Sequence, residues 1–134
     1  MSVQDAARSS ERSVKIAPRW FVLSAATVPL GILGQFMLAG LSLSVDLRFQ
    51  GMHDTLGFLL AVPIGVVATA PFLRNEVKAL RHWTGLLGIL YLLQIVLAAA
   101  GSGLAQAVHV LNAGLLLVVA PVVVAKIARS HNGG

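Results

Sequence analysis

The chain reads as an all-α, polytopic membrane protein: a four-transmembrane-helix up-down bundle built from two repeated hairpins. Three observations predict this. Of its 134 residues, 57% are hydrophobic and only 11% charged, outside the range of a soluble domain. Charge almost disappears from four stretches, roughly 20–44, 54–73, 83–100 and 104–125, each about the 20 residues a helix needs to cross a bilayer. A polar motif then recurs in the same order on both halves of the chain.

Taken in order, residues 1–16 are polar and rich in Ser and Arg, which predicts a cytoplasmic tail ahead of a transmembrane domain over 17–129 and a second tail over 130–134. The first apolar stretch is too long for a cleaved signal peptide and carries Gln35, so it is expected to remain as a helix. Asp46 is placed to cap the second helix. Trp20 and Trp83 fall at span ends, where indole rings favour the membrane interface. The turn at Gly101-Ser102-Gly103 is short and makes its flanking helices antiparallel neighbours. Pro29, Pro63, Pro71 and Pro121 lie within or at the ends of spans, where packed neighbours re-satisfy the freed backbone groups.

The net charge of +5 does not imply nucleic acid. Arg8, Arg12, Lys15 and Arg19 precede the first span, Arg74, Lys78 and Arg81 fill the middle connection, and Lys126 and Arg129 follow the last. Only Arg48 lies on the other side. The positive-inside rule turns this asymmetry into a topology, with both termini cytoplasmic, and the residue usage suggests a bacterial cytoplasmic membrane. Cysteine is absent, which removes disulfide, thiolate and iron–sulfur chemistry.

The repeat is the main organising feature. Gln35-Phe-Met-Leu-Ala39 on the first helix matches Gln94-Ile-Val-Leu-Ala98 on the third, and Gln50-Gly-Met-His53 on the second matches Gln106-Ala-Val-His109 on the fourth. The interval from glutamine to histidine is 18 residues in one half and 15 in the other, a difference the longer first loop absorbs. Two parallel repeats of this kind are expected to be related by a twofold axis along the membrane normal. At a rise of about 1.5 Å per residue, Gln35, Gln94, His53 and His109 all lie roughly 9–12 Å below the outer surface. Intramembrane polar side chains at one depth face the bundle interior and mark function.

Small residues sit one turn from these polar groups: Gly57 after His53, Ala113 after His109, Ala39 after Gln35 and Ala98 after Gln94. They share a face with the polar residue and either leave room for a flat ring or let helices pack closely. Two neutral imidazoles at equal depth can hold a haem iron from both sides. Each would need a partner for its second ring nitrogen, with Thr55, Asn112, a backbone carbonyl or a glutamine as candidates. Arg48, with Gln50 and Gln106 one turn outward of the histidines, suits the anionic propionates. Three alternatives stay open: the histidines as hydrogen-bonding glue between helices, another ligand such as a quinone, or copper through Met37 and Met52. Copper is disfavoured because Met52 and His53 are adjacent on a helix and point apart. His82, beside Arg81, and His131 read as interfacial and tail residues. Asp54 points about 100° away from His53 and reads as an interfacial partner.

These motifs resemble one four-helix half of heme A synthase. The pattern Q-x-x-L-A-G, H-x-x-x-G, Q and H-x-x-N-A over about residues 20–126 is also similar to that of a group of small four-helix bacterial membrane proteins. The first resemblance implies His53 and His109 as axial ligands of haem b near the outer face. The chain departs from that family in having one four-helix unit and no outer acidic residue beyond Asp46 and Asp54, so the oxygenase chemistry is not expected to carry over and no catalytic residue is assigned. The expected role is electron transfer, redox sensing or haem handling, with a redox partner or quinone. The alternative is an accessory subunit holding a quinone, lipid or partner helix. The oligomeric state is not legible.

Overall fold

A computed structural model describes residues 17–132, with side chains through Ser130. The tail expected over residues 1–16 lies outside the described residues, as does His131's side chain. The helices are α1 (Arg19–Ser44), α2 (Arg48–Leu59), α3 (Ala61–Leu73), α4 (Arg81–Ala99) and α5 (Gly103–Asn132), with a short 3-10 turn at Lys78–Leu80 leading into α4. Four units are long and apolar enough to span a membrane, α2 and α3 together making the second. The protein is therefore a multi-pass, all-α membrane bundle.

Each boundary has a local cause. The Pro18 carbonyl accepts the N–H groups of Phe21 and Val22 at 3.0 and 3.1 Å, which starts α1. Asp46 Oδ1 accepts the Arg48 N–H at 2.8 Å, so it caps α2 from one residue further upstream than a standard N-cap. Ser102 Oγ accepts the Ala105 N–H at 3.1 Å and caps α5 in the usual way. Gly101, at φ +63°, ends α4 in the left-handed conformation that glycine adopts without steric cost.

The second span is interrupted at Leu60. Pro63 has no N–H to give the Leu59 carbonyl, and its ring crowds that carbonyl. Pro29, Pro71 and Pro121 lie inside helices that continue through them. The last helix runs through Asn132, past both the apolar stretch expected to end at 125 and the tail boundary at 130. Lys and Arg are good helix formers and can extend their charged ends to the interface, so loss of hydrophobicity need not end the helix.

The spans form a four-sided ring. α1 packs against α2, α3 and α5, and α4 packs against α3 and α5. Packing is uneven along the bundle. Call the end with Arg19, Arg74, Lys78, Arg81 and Lys126 the basic end, and the end with Asp46 and Gly101 the far end. The buried core, including Phe21, Val28, Ile64, Val67, Leu87 and Val123, fills the basic half. Gly88 lets α4 approach α3 so closely that a Cβ there would stand 2.9 Å from the Ala68 Cβ, a small-on-small contact typical of membrane helices. By contrast, α2 buries no residue, and none of its Cα atoms comes within 8 Å of one in α4 or α5. The far half is thus the more loosely packed, with α2 standing off from α4 and α5. Large apolar residues such as Leu23, Leu43, Ile89, Val96 and Leu111 point outward, as a lipid-facing surface requires.

Candidate functional site

In the far half His53, His109 and Gln94 come together, while the Gln35 side chain turns to the backbone of His53. His53 Nδ1 lies 3.1 Å from the Gln35 carbonyl, and His109 Nδ1 lies 3.2 Å from the Gln94 carbonyl. A carbonyl only accepts, so Nδ1 carries the proton in both rings and each Nε2 presents a lone pair. The same contact occurs in both hairpins. The rings come from spans on opposite corners of the ring, yet their centroids are 6.5 Å apart with planes at 62°.

Beyond this shared contact the two halves differ. Gln94 Nε2 lies 3.1 Å from His109 Nε2, while Gln35 Nε2 turns away and donates to the His53 carbonyl at 2.9 Å. One residue pair explains the difference. Asn112, three after His109, is 2% exposed. Its Nδ2 donates to the Leu90 carbonyl at 2.8 Å and to Gln94 Oε1 at 2.6 Å. The equivalent position after His53 is Leu56, which has no polar atom to hold Gln35.

The orientations follow in sequence. The Leu90 carbonyl requires the Asn112 nitrogen, which requires the Gln94 oxygen, which turns the Gln94 nitrogen to His109 Nε2. That nitrogen must then be an acceptor, in agreement with the proton on Nδ1. Asn112 Oδ1 is left buried without a partner. Among the described residues no hydrogen bond reaches His53 Nε2.

The small residues also divide the two halves. Gln35's amide lies against Gly57, where an added Cβ would meet Gln35 Nε2 at 3.3 Å. At the matching position Ala113 already carries a methyl group, and Gln94 lies on the histidine side. Ala39 is half-buried and Ala98 exposed.

Other predicted partners have different roles. Thr55 donates to the Gly51 carbonyl at 2.8 Å within its own helix, and Asn112 holds Gln94, so in both cases the ring partner is a backbone carbonyl. Arg48 is 75% exposed and pairs with Asp46 at 3.2 Å. Gln50 donates to Asp54 at 2.9 Å, with the Ser42 hydroxyl 3.4 Å from its carbonyl oxygen. Gln106 is exposed, as are Met37 and Met52. Among the described residues no group of three or more His, Cys, Asp or Glu side chains could hold a metal ion.

One contributor was not singled out in the sequence. Tyr91 is buried, and its hydroxyl donates to the Gly57 carbonyl at 2.9 Å, bridging α4 to α2. Its signal was positional: it lies three residues before Gln94 and so shares that helix face.

Compared with known protein families, curated proteins and solved structures, the chain matches none.

Proposed function

We propose that the protein is an integral membrane b-type haem protein in which His53 and His109 hold the iron from opposite faces, serving electron transfer, redox sensing or haem handling. The observation that carries this reading is the pair of matching Nδ1–H bonds to backbone carbonyls on rings 6.5 Å apart. Metal-binding histidines almost always anchor the other ring nitrogen in this way, which sets the tautomer and raises ligand basicity. Two imidazoles on opposite sides of one metal, with bonds of about 2.0–2.1 Å, have centroids about 6.3 Å apart. The loose packing of α2 against α4 and α5 would let a flat, lipophilic ring enter from the side.

When bound, haem supplies a one-electron couple whose potential responds to axial ligands and burial. The protein's own part is to fix both imidazoles, exclude water with its apolar walls and offer polar groups at the far end. Arg48, Gln50 and Gln106 are the propionate-facing candidates, with Arg48 leaving Asp46 to take that role. Gln35 and Gln94 line the pocket. By the positive-inside argument the basic end is cytoplasmic, which puts the site in the outer leaflet of a bacterial cytoplasmic membrane with both termini inside.

The test is an oxidised and a dithionite-reduced spectrum of the purified protein after expression with haem precursor. Sharp α and β bands on reduction are expected, and they should be lost in the His53→Ala/His109→Ala double variant. Colour that persists in the double variant removes these residues as ligands.

One observation favours a second reading. Gln94 already occupies His109 Nε2, as in a layer of interhelical glue, and Asn112 Oδ1 is free to accept. A non-catalytic subunit holding a quinone, lipid or partner helix would use the same layer. A colourless protein that yields quinone on solvent extraction supports it.

A further inference from the structure

We infer that the two histidines are unequal: His53 is the standing ligand and His109 an exchangeable one, with Gln94 as its positioning residue, so that the His109 side accepts a small neutral diatomic ligand. The inference rests on the haem reading above.

The two halves break their symmetry at the histidines. Both rings are anchored through Nδ1, so both Nε2 atoms are prepared to bind a metal. Among the described residues only His109 Nε2 has a competing partner, the Gln94 amide at 3.1 Å. That amide is held in place by Asn112, which is buried and also tied to the Leu90 carbonyl. A histidine leaving the metal normally exposes an unsatisfied nitrogen to an apolar setting, at a cost. Here the departing ring returns to a waiting N–H donor, which lowers the free energy of the detached state and raises its population. His53 has no such resting place. Leu56 stands where Asn112 stands in the other half, and Gln35 donates to the His53 backbone carbonyl instead.

The vacated position suits a neutral diatomic molecule. Among the described residues no cationic side chain lies in the layer to balance an anion; the nearest in sequence, Arg48, is engaged by Asp46. The Gln94 amide, which carries a second N–H, supplies a hydrogen-bond donor beside the site.

The experiment uses the full-length haemin-loaded protein in detergent, with carbon monoxide as the probe. The ferrous protein is titrated by the shift of its Soret band, and the ferric protein is examined by electron paramagnetic resonance for its high-spin fraction. Wild type should bind carbon monoxide and show some high-spin iron. His109→Ala should keep haem and bind carbon monoxide about tenfold more tightly, whereas His53→Ala should lose most haem. Gln94→Leu should remove the resting place, weaken carbon monoxide binding about fivefold, as for loss of one hydrogen bond, and shift the ferric iron to low spin. Asn112→Leu, which copies Leu56, should act in the same direction and serves if Gln94→Leu does not fold. Unchanged or tighter binding in both variants overturns the inequality, as does haem loss in His109→Ala with retention in His53→Ala. Wild type that takes up no haemin at all overturns the haem reading itself, and the inference with it.

Discussion

At the residue scale, the site depends on how a few amides are satisfied. Gln94 and Gln35 occupy equivalent repeat positions but face different ways because Asn112 and Leu56 differ. Asn112 makes two donor bonds but leaves Oδ1 buried and unpaired. Asn112→Ala should therefore destabilise by only about 1–2 kcal/mol, since the lost bonds are partly offset by relief of that orphan atom. Unfolding in mixed detergent measures it. Tyr91→Phe removes the hydroxyl that spans α4 to α2 and should cost about 0.6 kcal/mol, with an upper bound of about 1.7. The resemblance of Gln35-to-His53 and Gln94-to-His109 was legible as spacing, and both rings do meet that layer. The different directions of the two amides were not legible, because a glutamine's orientation depends on partners from another helix.

At the element scale, the interrupted second span is the feature with most consequence. Pro63 deprives Leu59 of its donor, and α2 beyond the break stands apart from α4 and α5. Pro63→Ala restores the missing N–H and should give one continuous helix. The expected outcome is higher thermal stability and, on the haem proposal, slower haemin uptake as α2 draws in against its neighbours. Stopped-flow absorbance with haemin in excess checks the rate. Gly101→Ala tests the other hairpin's turn. An alanine at φ +63° should cost about 1 kcal/mol or more, read as a lower unfolding midpoint. Proline positions were visible in the chain, yet three of the four leave their helices unbroken. Which one breaks a helix depends on the neighbours available to re-satisfy the carbonyl, and on how firmly they hold the helix in line.

At the scale of the whole molecule, a tight basic half supports a looser far half. Without a hydrophobic force between helices inside lipid, the tight half relies on contact quality. At Gly88 an added Cβ would stand 2.9 Å from the Ala68 Cβ, so Gly88→Leu should separate α3 from α4 and lower stability by about 2 kcal/mol or more. At the basic end, Lys126 lies 5.1 Å over the Trp83 ring, a pairing suited to an interfacial position. The absence of cysteine makes the orientation simple to check. Val45→Cys should react with an impermeant maleimide in intact cells, and Lys78→Cys only after permeabilisation. The reverse pattern would put the histidine layer in the inner leaflet.

Amino-acid order alone determined the four spans, their alternation, the charge asymmetry and the depth at which two histidines and two glutamines lie, because hydrophobic length and helical rise are local properties of a chain. Tertiary structure alone decided that the bundle packs tightly in one half and loosely in the other, that the second span breaks near a proline, and that one imidazole's Nε2 is capped while, among the described residues, no hydrogen bond reaches its twin's. Those outcomes depend on which atoms from separate helices come within hydrogen-bonding reach, and such distances exist only once the helices have packed.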